Sequence, residues 1–480
     1  MNRRMVFYML GYMFTAAAAL MVLPLVVSAA YGERCFWAFL ITIGIALVIG
    51  LPMSFFSRTE NHVIYAKEGF VIVALAWLSL SAVGALPFVI SGEIPSYIDA
   101  FFETVSGFTT TGASILRNVE ELSRGMLFWR SFTHWIGGMG VLVFIMAVIP
   151  TVSDRSIHIL RAEMPGPVVG KLLPRARDTA KILYLIYIVL TAVEIVLLLL
   201  GGMPLFDSVV HAFGTAGTGG FGIKADSIAG YNAYLQWVIT IFMMIFGVNF
   251  NLYYLILLKK TKEIFKSEEF WVYIAISVVS TVVIAFNIRS MYPSVSETIR
   301  TASFQVATII TTTGYATADF NLWPDLSKGI LLLLMFIGSC AGSTAGGLKI
   351  SRVVLLFKMI RREIKHMLHP RSVGAVRFEG KKMEESVLHS VSTYFALYTV
   401  IFGVVFLVLC LEPFGFESNF SAVAACFNNI GPGFGAVGPA ANYADYSVLS
   451  KIVLSVAMLF GRLEIYPILF VLSRSAWSKK

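Results

Sequence analysis

Four short segments place glycine where binding of a bare cation would need it: Thr110-Thr111-Gly112, Thr218-Gly219-Gly220, Thr312-Thr313-Gly314 and Asn429-Ile430-Gly431. A cation that sheds its water needs replacement oxygens, and backbone carbonyls aimed at a common axis supply them without fixed charge. Aiming successive carbonyls one way requires alternating or positive φ, which glycine reaches with little strain. Thr or Asn ahead of it can brace the loop through side-chain bonds to nearby backbone. One such glycine alone reads as a packing or loop residue. Four at matched positions read as the walls of one pore.

The match is one of spacing. Asp99 to Gly112 and Asp207 to Gly220 are both 13 residues, while Phe101 to Gly112 and Phe420 to Gly431 are both 11. The third unit is longer, with 17 residues from Glu297 to Gly314. In the fourth, Gly433 competes with Gly431, and the Phe spacing favours Gly431.

The elements that hold these loops follow from composition. At 480 residues, with 57% hydrophobic, 14% charged and a mean hydropathy of +0.79, the chain has too little polar surface to cover a soluble globule. Its apolar runs predict ten spanning helices near 5–29, 36–57, 67–90, 126–150, 180–202, 232–258, 270–288, 328–360, 389–412 and 448–473. Alternating ten-residue segments of the kind that build β-barrels are not seen. About a dozen residues precede each glycine segment, too few to cross a bilayer but enough for a re-entrant half-helix. Its carboxyl end would bring partial negative charge to the cation. The expected fold is an all-α integral membrane protein: four pseudo-symmetric helix, half-helix, filter loop, helix repeats around one pore, after an N-terminal helix pair. The expected divisions are 1–62 for the pair and 63–155, 156–265, 266–375 and 376–480 for the repeats.

Lys and Arg collect in the segments on the side of the amino terminus, and acids prevail on the other, which predicts both termini in the cytoplasm. The basic balance then says nothing about nucleic acid, and none is expected as a partner. The acidic outer side would concentrate cations. Neither HExxH, GxSxG nor a P-loop is present, so no enzyme is expected and no organic cofactor.

The eighth apolar run contains Gly338-Ser339-Cys340-Ala341-Gly342-Ser343-Thr344-Ala345-Gly346-Gly347-Leu348-Lys349. Each glycine weakens a helix by about 1 kcal/mol relative to Ala, so the helix should break here. Irregular backbone at membrane depth is tolerated only when buried in protein or lining water, which suits a loop beneath the filter. Arg462 lies inside the last run, where a charge costs about 2.5–3.5 kcal/mol and must face a partner or a water-filled path. Pairing with Glu464 is awkward, because residues two apart do not face each other on a helix.

Taken together, Phe108-Thr109-Thr110-Thr111-Gly112-Ala113-Ser114, Gly217-Thr218-Gly219-Gly220-Phe221-Gly222, Thr311-Thr312-Thr313-Gly314-Tyr315 and Asn428-Asn429-Ile430-Gly431-Pro432-Gly433 resemble the four filter loops of the Trk/Ktr/HKT superfamily of potassium transporters, nearest its bacterial TrkH branch. The resemblance covers nearly the whole chain. It implies K+ uptake across the bacterial inner membrane, assembly as a homodimer, and control by a cytosolic TrkA-like nucleotide-binding ring. In that superfamily serine at the first filter position goes with sodium transport; glycine at all four positions here implies K+, with Rb+ as surrogate. The resemblance also implies an intramembrane gating loop at Gly338, Gly342, Gly346, Gly347 and Lys349, with Lys349 near its cytoplasmic end, and an arginine at the position of Arg462. Arg462 is accordingly expected to project into the path beneath the filter and repel cations while the gate is shut.

Overall fold

The computed structural model describes residues 2–58, 66–140, 176–372 and 374–477. Long apolar runs become helices because a helix satisfies its own backbone bonds in lipid. Six helices among the described residues are long and apolar enough to cross a bilayer unaided, and a seventh span is a bent pair. The chain begins with two closely packed helices, α1 (Arg3–Ala30) and α2 (Cys35–Phe56).

Four similar units follow. In the first, α3 (Ala66–Gly84) runs into α4 (Leu86–Ser91), then α5 (Tyr97–Phe108) and α6 (Arg124–Gly138). The second comprises α7 (Ala176–Leu200), α8 (Leu205–Gly217), α9 (Ala233–Phe246) and α10 (Phe250–Leu257), with a short α11 (Thr261–Ile264) after it. The third has α12 (Glu268–Asn287), α13 (Val295–Ile310), α14 (Asp325–Ile337) and α15 (Ile350–Leu368). The fourth has α16 (Glu385–Leu409), α17 (Phe416–Phe427), α18 (Val448–Arg462) and α19 (Tyr466–Leu472).

The half-helices α5, α8, α13 and α17 have 12, 13, 16 and 12 residues. At 1.5 Å per residue they reach roughly 18–24 Å, short of the bilayer core. Each has an acid in its first turn (Asp99, Asp207, Glu297, Glu417) and no basic residue in its last. The acids compensate the positive amino ends of the helix dipoles, and no side chain of these helices compensates the carboxyl ends.

Two expected spans are corrected. The run 232–258 is bent by 90° between α9 and α10. The run 448–473 breaks after Arg462, with Glu464 and Ile465 at φ 56° and 67°. Arg462 therefore ends α18 instead of lying inside a continuous helix. The run 328–360 breaks between Ile337 and Ile350, and α6 stops at Gly138. The continuation of 126–150 past Gly140, most of the basic segment 151–181, and the divisions at 62 and 155 lie outside the described residues.

Helix is not the only regular structure. A two-residue hairpin, β1 (Arg377–Phe378) with β2 (Lys381–Lys382), turns through Glu379 and Gly380 at φ 50° and 72°. Positive φ at both central residues is the tight-hairpin geometry. Its Glu379 carboxylate accepts from the Ser267 hydroxyl and the Glu269 N–H, both at 3.0 Å, and so closes the amino end of α12.

Candidate functional site

The four half-helices end in the same way. Thr110, Thr218, Thr312 and Asn429 each follow the last turn with φ of 55°, 54°, 55° and 56°. The next N–H of the chain (Thr111, Gly219, Thr313, Ile430) returns to the carbonyl five residues back (Ser106, Gly214, Thr308, Ala425), each time at 2.8 Å. This is the left-handed helix terminus usually made with glycine. Three of its four positions here hold β-branched threonine, at a cost of about 1–2 kcal/mol each. The chain then turns at Gly112, Gly220, Gly314 and Gly431, with φ of 79°, 74°, 86° and 96°. Gly433 has no such φ.

These turns close a ring. A Cβ on Gly112 would stand 2.1 Å from the Gly219 oxygen, and one on Gly220 2.0 Å from the Thr313 oxygen. One on Gly314 would be 2.1 Å from the Ile430 oxygen, and one on Gly431 2.6 Å from the Thr111 oxygen. Each glycine thus touches the carbonyl that precedes the glycine of the next unit, and the fourth returns to the first. Glycine is needed at each position for its φ and for this approach. Side chains brace the ring behind it. Thr109 and Thr111 hydroxyls lie 2.8 Å apart, as do those of Thr311 and Thr313, and Asn429 Nδ2 donates to Thr111 Oγ1 at 2.9 Å. All four glycines line one vestibule of about 170 Å³.

The opposite face of the ring meets the ends of broken helices. Gly346 N–H donates to Thr312 Oγ1 at 2.7 Å, and a Cβ on Gly346 would lie 2.4 Å from the Asn428 oxygen. The 338–349 segment is therefore pressed against the third and fourth loops. Gly338, Gly342, Gly347 and Lys349 hold positive φ, and Lys349 Nζ contacts the Ala345 carbonyl. The backbone groups freed by the breaks find partners in one another. Cys340 N–H donates to the Gly247 carbonyl at 3.2 Å and Phe250 N–H to the Gly342 carbonyl at 3.0 Å, which joins the α9–α10 break to the α14–α15 break. Arg462 donates to the Thr344 carbonyl at 2.7 Å and to the Gly137 and Gly138 carbonyls at the end of α6. Glu464 pairs with Arg352 across the chain.

Glu269 serves both sides of the α14–α15 break, accepting Ala341 N–H at 2.8 Å and Ser351 N–H at 3.0 Å. Glu269→Ala is expected to lower stability by about 1–3 kcal/mol for each donor it orphans, and Glu269→Gln, which keeps an acceptor, by less. Thermal unfolding in detergent measures this. An alanine variant as stable as the native chain would remove Glu269 from the account.

Every filter and gate residue anticipated from sequence thus falls in two adjoining layers. Four others were not anticipated as contributors to this site. The Nδ1 of His134 donates to the Gly107 carbonyl at 2.7 Å, its Nε2 accepts from Phe221 N–H at 3.3 Å, and its ring fills the space a Gly219 Cβ would need. Tyr443 donates its hydroxyl to the Gly431 carbonyl at 2.8 Å and its N–H to the Ser114 carbonyl at 2.8 Å, tying the fourth loop to the first. Glu103 and Arg130 form a buried ion pair beside the vestibule. None of these has a local signal, since each partner is distant in sequence.

With this geometry in place, the comparisons with known proteins are specific. The family described as "TrkH: Cation transport protein" matches residues 37–479. The Trk system potassium uptake protein TrkH of Salmonella typhimurium is 36% identical over 486 residues, spanning 99% of this chain and 100% of the relative. The Trk system potassium uptake protein TrkG of Escherichia coli K12 is 36% identical over 482 residues, covering 99% and 98%. The crystal structure of the potassium transporter TrkH from Vibrio parahaemolyticus superimposes with a TM-score of 0.90 at 34% identity, covering 100% of both chains. A ring of four helix-borne loops, its buried floor of broken helices and full-length kinship all agree, and the chain belongs to the TrkH family of multi-pass membrane proteins that transport cations.

Proposed function

We propose that this chain carries K+ into a bacterial cell across the inner membrane, through the ring at Gly112, Gly220, Gly314 and Gly431. The observation that carries the reading is the closed cycle of glycine-to-carbonyl contacts, each at 2.0–2.6 Å for an added Cβ. Such a ring offers oxygens from all four units to one ion, and the half-helix carboxyl ends add partial negative charge. Relatives named as potassium uptake proteins support K+ as the cargo. The charge asymmetry supports cytoplasmic termini, which puts the vestibule outside and the 338–349 segment on the inner side. That segment and Arg462 are the gate. The names of the relatives speak of a Trk system, and the regulatory member is a separate nucleotide-binding TrkA-like ring acting on a homodimer of this chain.

Purified chain in liposomes should accumulate Rb+, with external K+ abolishing uptake and an excess of Na+ leaving most of it in place. Equal displacement by Na+ would sink the K+ reading. Repeating the uptake with an imposed proton gradient separates passive from coupled flow.

A further inference from the structure

The ion pair of Glu103 and Arg130 is almost wholly buried, with Glu103 1% and Arg130 3% exposed. Glu103 is on α5, nine residues before Gly112, and faces the back of the first loop. The same offset in the other units falls on His211, Gln305 and Ala422, so the carboxylate has no counterpart there. Arg130 spreads its fork over two units. Nε donates to Glu103 Oε1 at 2.8 Å, the first terminal nitrogen to the Gly222 carbonyl at 3.1 Å, and the second reaches Ser114 Oγ at 3.4 Å. Its guanidinium stacks 4.0 Å over Phe221. Glu103 in turn accepts from the Ser114 hydroxyl and from Ile115 N–H, both at 3.0 Å.

A buried pair of this kind adds little net stability against an apolar replacement, because desolvation offsets the attraction. Its positional effect is definite. Ser114 and Ile115 lie two and three residues beyond Gly112, and Phe221 and Gly222 lie one and two beyond Gly220. The planar fork fixes these two strands of backbone against each other at the vestibule wall, which neither a lysine nor a single amide can do. We propose that the Glu103–Arg130 pair is a specificity-determining positioning element: it sets the separation of the first and second loops and thereby which cation the ring admits. This rests on the ring being the cation path.

The test is Rb+ uptake and its inhibition by Na+ for full-length chain in liposomes, comparing wild type, Arg130→Gln, Arg130→Lys, Glu103→Gln and the double amide Glu103→Gln/Arg130→Gln. Each single variant is expected to lower the Rb+/Na+ preference about tenfold, with Arg130→Lys no better than Arg130→Gln, and the double amide to regain several-fold, because neither charge is then left unpaired. Should a single variant fail to fold, Ser114→Ala removes the hydroxyl that joins both partners and is expected to lower the preference several-fold. Wild type that shows no Rb+ uptake at all overturns the underlying reading. Selective wild type with folded single variants, or Ser114→Ala, of unchanged preference overturns the positioning role alone.

Discussion

Gly220→Ala is expected to abolish most Rb+ uptake without removing the protein from the membrane. The added methyl would stand 2.0 Å from the Thr313 oxygen, on a residue already at φ 74°. Its neighbour is backbone, so no side chain can swing aside, and roughly 1 Å of relief must come from moving one loop against the next. Overpacking of this kind costs about 1–3 kcal/mol, and the left-handed φ adds about 1 kcal/mol for a residue with a Cβ. The half-helices anchor the loops elsewhere, so the displacement falls on the carbonyls facing the axis. If that energy, about 2–4 kcal/mol together, falls wholly on the conducting arrangement, uptake drops by about 30–700-fold. Gly112→Ser, 2.1 Å from the Gly219 oxygen, should reduce uptake and also lower the preference for Rb+ over Na+. Gly433→Ala is the internal control. Its Cβ would meet the Ser421 hydroxyl and a Val437 methyl at 2.9 Å and the Ser421 carbonyl at 3.0 Å, outside the ring, and uptake should stay near wild type. Uptake by Gly220→Ala equal to that by Gly433→Ala would mean that the ring is not the path.

The ring glycines are legible in sequence because two demands, positive φ and close approach, fall on the same residue and only glycine meets both. The half-helices are legible for a similar reason, since a dozen residues between spanning runs have nowhere else to go. What precedes the glycines is hidden. Threonine prefers extended backbone, and nothing local says that Thr110, Thr218 and Thr312 end helices in the left-handed region; packing imposes it. The breaks differ among themselves. Four glycines announce the one at 338–349, whereas 247–249 offers only Gly247 and Asn249, whose side chain caps α10 by accepting from Asn251 N–H, and the Cys340 N–H that satisfies the Gly247 carbonyl comes from a distant segment. The break after Arg462 has a local signal in Pro467, which cannot donate to a continuing helix, while the pairing of Glu464 with Arg352, 112 residues away, has none. Arg130 stands in an apolar run of the sequence, but finding Glu103, 27 residues away, as its partner requires the fold.

Arg462→Ala is expected to raise Rb+ flux several-fold in liposomes that contain no other polypeptide. Arg462 does two things at once beneath the ring. It places a fixed positive charge on the face of the ring opposite the vestibule, and it ties the Thr344 carbonyl of the 338–349 segment to the Gly137 and Gly138 carbonyls ending α6. If the ring is the path, a cation leaving it would meet both a like charge, weakly screened at a buried site, and a segment held in place. Two further substitutions separate the contributions. Arg462→Gln keeps hydrogen-bond donors but no charge, while Arg462→Lys keeps the charge but reaches fewer carbonyls. Flux in Arg462→Gln as high as in Arg462→Ala, with Arg462→Lys near wild type, assigns the barrier to charge; the reverse order assigns it to the tie. Because three carbonyls from two units converge on one guanidinium, loss of the tie should also free Thr344, and the 338–349 segment should become more accessible to a thiol reagent at an introduced cysteine such as Ser343→Cys. Wild-type flux in all three Arg462 variants, with no gain in accessibility, would exclude Arg462 and the segment it holds from the gate.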